Sequence, residues 1–376
     1  MNLLIDRVDI SGVRVGKLMF GKDKWLETPC CLLYSRAGAI PDLCQDVWRE
    51  IPALPKVVAV PLPTVYECPG ADVMNSFGQG VHKYIGLEDH LVYLTVQDSS
   101  KLHSFTYNAD KNVSLWTISG RKKVTVEDHV KVLEAFRPDV AQCLCDTIPA
   151  SNDDVTIKRV RKSVDRTLKF LDETLLAAEK SKSLSSVALL GVIEGTALLE
   201  ERKRSAKETV KRPVAGYVVE GLTEDVDVSV NKAILTTVME ILPEDKPRFV
   251  SGIETPEQIL RAVESGVDVF DGVYPYRAAQ KGCALVFPTD DKNASHQLDL
   301  NDKRYAEEFK PIMDNCKCYS CLHHTRAYIH HLLVTKELLA HTLLMNHNLQ
   351  HYMSFFADMR KALQTETFHL FKKNFR

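Results

Sequence analysis

The chain alternates short runs that are apolar almost throughout with stretches of helical periodicity. The runs fall at 29–34, 57–62, 91–96, 140–145, 187–193, 216–220, 248–253 and 267–273. A strand with one wet face alternates apolar and polar residues; these do not, so both faces must be covered, as in a parallel sheet. Between them, Thr125 caps a helix over Val126–Phe136, and a long helix, basic at its start, spans Ile157–Lys180. A further helix over 197–210 follows a Gly-Thr turn, and Pro256–Glu264 opens with Thr255 as cap and Pro256 at its first position, closing at Gly266. About eight β-α units in this order predict a (β/α)8 barrel, with a doubly wound open sheet as the alternative. One stretch breaks the alternation: 114–118, a Ser119-Gly120 turn and 122–126 read as an inserted β-hairpin. The polar segment 288–302 reads as a surface loop.

At 376 residues with 45% hydrophobic and 26% charged residues, the chain has ample material for a barrel core. Its formal net charge of -2 neither points to a polyanionic partner nor excludes a local basic patch. The first residues, MNLLIDRVDISG, carry Asp6 and Asp9 and do not read as a secretory signal, and no apolar run is long enough to span a bilayer. The expectation is a soluble, cytoplasmic protein. Cys30, Cys31, Cys44, Cys68, Cys143, Cys145 and Cys283 then read as buried thiols, not disulfides.

Three further cysteines are different. Residues 315–324 read NCKCYSCLHH, placing Cys316, Cys318 and Cys321 within six positions. Three thiolates on so short a segment offer soft tetrahedral ligands suited to zinc. His323 and His324 are the local candidates for a fourth ligand. His347 lies 26 residues beyond Cys321, roughly 39 Å away on one straight helix. A short helix over Arg326–Val334, followed by a second that Thr335 caps from Lys336 onward, would return His347 to the cysteines after about three turns. Pattern alone leaves the choice open. A site closed by four protein ligands has no position for substrate, so one structural zinc ion per chain is expected. The barrel would occupy 1–300, with an N-terminal extension, and the helical zinc subdomain 301–376.

The run CKCYSCLHHTRAYIHHLLVTKELLAHTLLMNHN resembles the tRNA-guanine transglycosylase family, as do LPEDKPRFVSGI (242–253), GVDVFD (266–271) and GVIEGT (191–196). The resemblance covers most of the chain and implies a (β/α)8 barrel with a C-terminal zinc subdomain. It assigns the zinc to Cys316, Cys318, Cys321 and His347. In that family a carboxylate attacks the ribose anomeric carbon at the wobble position, guanine leaves, and an incoming base resolves the covalent intermediate. The family nucleophile falls on Asp271, at the end of a predicted barrel strand, and the second catalytic aspartate on Asp98.

The surroundings of these aspartates depart from the family pattern. Asp98 is followed by Ser99-Ser100-Lys101-Leu102 where the family has Ser-Gly-Gly-Phe-Gln. The family's base-binding glutamine is Glu194, its Gly-Gly pair is Glu220-Gly221, and its base-packing methionine is Ser251. Where a guanine-reading aspartate is expected the chain reads Cys143-Leu144-Cys145-Asp146, with only Asp146 available. An unpaired buried carboxylate facing a purine costs on the order of a few kcal/mol. Together with KRVRKSVDRTLKFLDE (158–173), KRPVAGYVVEG (211–221) and GCALVF (282–287), these changes make the resemblance closest to the accessory, non-catalytic kind of subunit in the family's eukaryotic heterodimers.

The implied partners are a catalytic queuine tRNA-ribosyltransferase subunit and tRNA with GUN anticodons, with a homodimer as the form in isolation. The implied locations are the cytoplasm and the mitochondrial outer membrane. Asp98 and Asp271 become relics; the alternative is an independent transglycosylase with Asp271 as nucleophile and Asp98 as general acid/base. The family's backbone-binding arginines fall near Arg277 and Gln280, so one is kept. Lys158, Arg159, Arg161 and Lys162, with Arg166, surround a helix start and read either as a solvated face or as phosphate contacts to tRNA. His330, His331 and His341 read as packing or surface residues, and Phe355, Phe356 and Met359 as core or subunit interface.

Overall fold

The computed structural model of the chain describes residues 1–8, 13–20, 24–101, 107–152, 154–223, 226–288 and 295–375. They form two compact units: Met1–Leu32, Arg36–Gly38 and Lys56–Asp271 in the first, and Leu33–Ser35, Ala39–Pro55 and Gly272–Arg376 in the second.

The first unit contains the barrel. Its parallel strands are Cys30–Cys31, Val57–Pro61, Leu91–Thr95, Val140–Gln142, Ala188–Ile193, Gly216–Val219, Arg248–Val250 and Val269–Phe270. From Val57–Pro61 onward each strand pairs with its successor, and the last pairs with the first, Val269 opposite Cys30. The sheet has therefore come round nearly on itself, and the barrel expectation holds over the open-sheet alternative. Inward positions recur with period two: Val57 and Ala59, Leu91 and Tyr93, Ala188 and Leu190 share one core with Cys30, Leu32, Val218, Phe249 and Val269. Burying each of the larger ones, such as Val57, Leu91, Leu190 or Phe249, contributes roughly 1.5–3 kcal/mol.

An antiparallel sheet of Asn2–Val8, Arg14–Phe20 and Lys24–Thr28, not foreseen from the sequence, adds Leu3, Leu18 and Leu26 to that core. The Arg14 guanidinium donates to the buried carboxylate of Asp268 at 3.0 Å, which fixes this sheet at the strand N-termini. The C-terminal strand ends are left for the loops.

The helices form where their caps dictate. Thr125 and Asp128 make a reciprocal capping box at Val126–Phe136. Ile157–Lys180 buries Val160, Val164, Leu168 and Leu171, a stripe at helical spacing. Pro256–Glu264 begins at its proline as expected. The helix expected over 197–210 is Leu199–Thr209, because Gly195 and Thr196 both turn through positive φ, 140° and 53°. The inserted hairpin pairs Val113–Thr117 with Gly120–Val124, after the third barrel strand.

In the second unit the expected helix Arg326–Val334 is present, but its successor is Leu338–Gln364. Thr335 ends the first helix and does not cap the second, since Lys336 takes a left-handed φ of 59° and Glu337 is the N-cap. The segment 288–302 is not all loop: Gln297–Asp299 pairs antiparallel with Cys283–Leu285, while 289–294 lie outside the described residues. Phe355, Phe356 and Met359 are core. Cys30, Cys31, Cys143 and Cys145 are buried free thiols as expected, but Cys44 and Cys68 are exposed and Cys283 is half-buried. Among the described residues no helix is long and apolar enough to cross a membrane.

Candidate metal centre and the carboxylates at the strand ends

Cys318 caps the short helix Tyr319–His323, its sulfur accepting from the Cys321 amide at 3.3 Å, so that turn presents both sulfurs to one side. The chain reversal at Lys336 brings His347, on the third turn of Leu338–Gln364, back to them. Its Nδ1 lies 3.4 Å from the sulfurs of Cys318 and Cys321 and 3.7 Å from that of Cys316. A tetrahedral zinc with its usual bond lengths puts nitrogen and sulfur about 3.5 Å apart. All four ligand atoms fall within 4.8 Å of one another, so these residues can hold a metal ion. His323, the nearer alternative in sequence, is exposed and outside the cluster.

The ring is oriented from behind. His347 Nε2 bonds the Leu285 carbonyl at 2.9 Å, which leaves Nδ1 free to ligate. Asn348 then accepts from the Leu285 amide at 2.8 Å and donates to the Cys283 carbonyl at 3.0 Å, and His351 Nε2 accepts from the Phe287 amide at 3.0 Å. One helix face thus satisfies a strand edge while aiming a ligand. Without a cation the thiols cannot ionise independently: bonds from Cys318 and Cys321 hold the Cys316 thiol far down, while Cys316 and Cys321 push Cys318 up. Burial lowers His347, but the Cys316 and Cys321 sulfurs outweigh it and bring it up to about 9. A soft divalent cation fits this set, because it stabilises all three thiolates beside a neutral imidazole.

In the first unit, the residues that the sequence singled out at the strand ends are bonded to the protein itself. Asp146 is fully buried and takes both nitrogens of Arg159, at 2.8 and 2.7 Å, one of Arg166 at 2.9 Å, and the Asn108 amide at 2.8 Å. Glu194, also fully buried, accepts from the Thr147 hydroxyl at 2.6 Å. Burial pushes it up to about 8 against the lowering effect of Arg202 and Thr147, so it carries a proton at neutral pH.

Glu220 is raised by burial, against its bonds to the Gln142 amide at 2.8 Å and the Ser251 hydroxyl at 3.0 Å. Glu220 is thus paired within the protein, whereas Glu194 is bonded through Oε1 alone and its buried Oε2 has no partner among the described residues. Arg202, fully buried between these groups and brought down to about 10 by burial, donates to the carbonyls of Ile193 at 2.7 Å and Thr196 at 2.8 Å. Gly195 permits this approach, since a Cβ there would stand 2.7 Å from the Arg202 amide.

Asp98 is buried and held by the Ser100 amide at 3.0 Å and hydroxyl at 2.7 Å. Asp271 follows the last strand; its carboxylate accepts from the Gly252 amide at 3.1 Å, and its carbonyl from the Cys31 thiol. Of the basic residues, Arg159 is committed to Asp146, Arg161 pairs with Glu201 at 3.4 Å, and Lys162 pairs with Asp110 at 3.2 Å. Lys158 is exposed, with no ion pair among the described residues, and Arg277 is half-buried on Tyr274–Gln280.

Gln142, Thr147, Asn108 and Arg202 escaped the sequence reading. Arg202 was legible in principle, because it shares the i, i+3, i+7 stripe of Ser205 and Thr209, the buried face of its helix.

A family model described as queuine tRNA-ribosyltransferase matches residues 9–376. Three similar proteins carry the name queuine tRNA-ribosyltransferase accessory subunit 2. The Homo sapiens protein is 37% identical over 97% of this chain and 97% of its own length. That of Gallus gallus is 39% identical over 93% and 90%, and that of Trichoplax adhaerens 38% over the whole of both.

Proposed function

The chain belongs to the queuine tRNA-ribosyltransferase family, and we propose that within it this chain is a non-catalytic accessory subunit. It joins a catalytic subunit as a heterodimer and helps position tRNA with GUN anticodons while the partner exchanges the wobble guanine for queuine. The observation that carries this reading is the internal bonding at the strand ends. Asp146, Glu194, Glu220 and Ser251, the positions where the resemblance puts base recognition, are hydrogen-bonded to Arg159, Arg166, Thr147, Gln142 and one another. Freeing Asp146 from its buried ion pair with Arg159 and Arg166 costs about 3–5 kcal/mol, which weakens any base binding through it by roughly two to four orders of magnitude.

On this reading Asp98 and Asp271 are retained carboxylates without a base to act on. Cys316, Cys318, Cys321 and His347 hold one structural zinc, which keeps the helices after Asn315 folded. The cytoplasmic and outer mitochondrial locations implied by the resemblance belong to the same reading, with a homodimer as the form without the partner. The test is adduct formation: this chain, incubated alone with labelled tRNA, should yield no denaturation-resistant protein–RNA species. A labelled species that disappears in Asp271→Asn would instead establish an independent transglycosylase.

A further inference from the structure

The inserted hairpin plays no part in the chemistry above, and its outer face brings aromatic and cationic side chains together. Strand pairing sets Trp116 opposite Arg121 and Ser114 opposite Lys123, so these four share one face, while Val113, Leu115 and Val124 are buried on the other. Tyr107 lies over that face: its ring meets the edge of Trp116 with centroids 6.1 Å apart, and the Arg121 guanidinium sits 4.5 Å above it. Ile118 at the tip is 94% exposed, and Tyr107 is 51% exposed.

The cations here are uncommitted. Arg121, Lys123 and the neighbouring Lys111 form no ion pair among the described residues; of the carboxylates near them in sequence, Asp110 is already held by Lys162 and Arg166, and Glu127 by Lys131. Lys122, on the opposite side, is bound to Glu67 at 2.7 Å.

The platform is also anchored. The Ser114 amide donates to the Asn108 side-chain oxygen at 2.8 Å, and the Ser114 hydroxyl donates to the Tyr107 carbonyl at 3.0 Å. The Asn108 amide in turn donates to Asp146 at 2.8 Å. The carboxylate that the resemblance aligns with base reading therefore holds the segment that carries Tyr107.

We propose that the outer face of this hairpin, formed by Tyr107, Trp116, Arg121 and Lys123, is a stacking platform for single-stranded nucleotides of an RNA ligand. Aromatic rings and a guanidinium plane accept bases of any sequence, and unpaired cations beside them take the phosphates. Charge complementarity with a polyanion selects RNA over a neutral or basic protein surface. The inference rests on the reading that this chain handles tRNA and adds where an unpaired stretch of it would lie.

The test measures binding of tRNA and of a short unstructured oligoribonucleotide to the full chain at several salt concentrations. Three variants are compared with the parent: Arg121→Glu with Lys123→Glu, Tyr107→Ala, and Tyr107→Phe. The double variant should lose about tenfold or more in oligonucleotide affinity, and its salt slope should fall by about 1.4, two phosphates at roughly 0.7 each. Tyr107→Ala should lose at least about fivefold, and Tyr107→Phe should bind as the parent does. The double variant and Tyr107→Phe should melt at the parent's temperature, since Arg121 and Lys123 are exposed and Phe keeps the ring contacts, while Tyr107→Ala should melt only slightly lower.

No oligonucleotide binding by the parent, or unchanged affinity in the double variant, overturns the platform. Loss of co-elution with the catalytic subunit while RNA binding stands also overturns it, by making the face a protein surface. Base exchange by the parent chain mixed with the catalytic subunit is scored separately. Exchange with unmoved oligonucleotide binding sinks only the platform, whereas absent exchange with the expected binding losses sinks only the accessory reading.

Discussion

Arg159 grips Asp146 through two parallel hydrogen bonds of 2.8 and 2.7 Å, with the carboxylate wholly removed from solvent. The pair joins the start of the helix Ile157–Lys180 to the loop after the fourth barrel strand, and Arg166, two turns further along the same helix, adds a third bond at 2.9 Å. Removing one partner leaves a buried charge short of its counter-ion. Arg159→Ala should therefore lower unfolding stability by about 3 kcal/mol, the lower end for a broken buried pair, because Arg166 remains. Chemical denaturation at neutral pH measures this, and a loss below about 1 kcal/mol would mean the pair is not the anchor described.

Glu194 gives the fold a pH dependence of known sign. Its folded value of about 8 lies above the ordinary value of 4.5, so the unfolded chain loses this proton first as pH rises. The stabilising contribution is complete below about pH 4.5 and is lost progressively up to about pH 8. Glu194→Gln keeps an acceptor for Thr147 and removes the titration. Relative to the parent the variant should gain stability from pH 5 to pH 8, by on the order of a few kcal/mol in total. A gap between the two that stays constant with pH would contradict a buried, protonated Glu194.

Gly252 ties two strand ends together. Its backbone turns at φ 81°, and a Cβ there would stand 1.8 Å from the Leu222 carbonyl oxygen, while its amide donates to Asp271 at 3.1 Å. Gly252→Ala should cost at least about 2 kcal/mol through strain and overlap together. Thermal melting reads this directly, and an unchanged midpoint would mean the loop yields freely.

The Cys3His cluster should bind one zinc per chain, measured by metal analysis of the purified protein. His347→Ala should fall to a small fraction of one equivalent, and chelation of the parent should lose helical signal while the barrel strands persist. The energetic scale is large, since structural zinc sites contribute roughly 10 kcal/mol or more at neutral pH. Full helicity in metal-free protein would overturn the structural role.

The elements most legible in the sequence were those with an explicit start. Thr125 and Pro256 mark helix origins by chemistry that acts within a few residues, and both helices begin where they should. Strand positions were legible because a doubly covered strand must be apolar, yet each strand is shorter than its apolar run. The run at 267–273, for example, pairs only at Val269–Phe270, because its ends enter loops that are equally buried. The reversal after Arg326–Val334 was foreseen but misplaced, since nothing local marks Lys336 for a left-handed backbone. Gln297–Asp299 is too short and polar to read as a strand without its partner.

At the strand ends the identities of Glu194, Glu220 and Asp146 were legible, but their partners were not. Thr147 lies 47 residues from Glu194 in sequence and Gln142 lies 78 from Glu220, and only the closed barrel brings them together. The hydrogen-bond partners that decide whether a carboxylate faces a ligand or the protein are set by that closure.

The central claim is that this chain supports base exchange without performing it. Its most direct test is incorporation of labelled queuine into tRNA by the chain alone, the catalytic subunit alone and the two mixed. The account predicts incorporation by the mixture and none by this chain, with Asp271→Asn leaving the mixture fully active. Incorporation by this chain alone, abolished in Asp271→Asn, would contradict it.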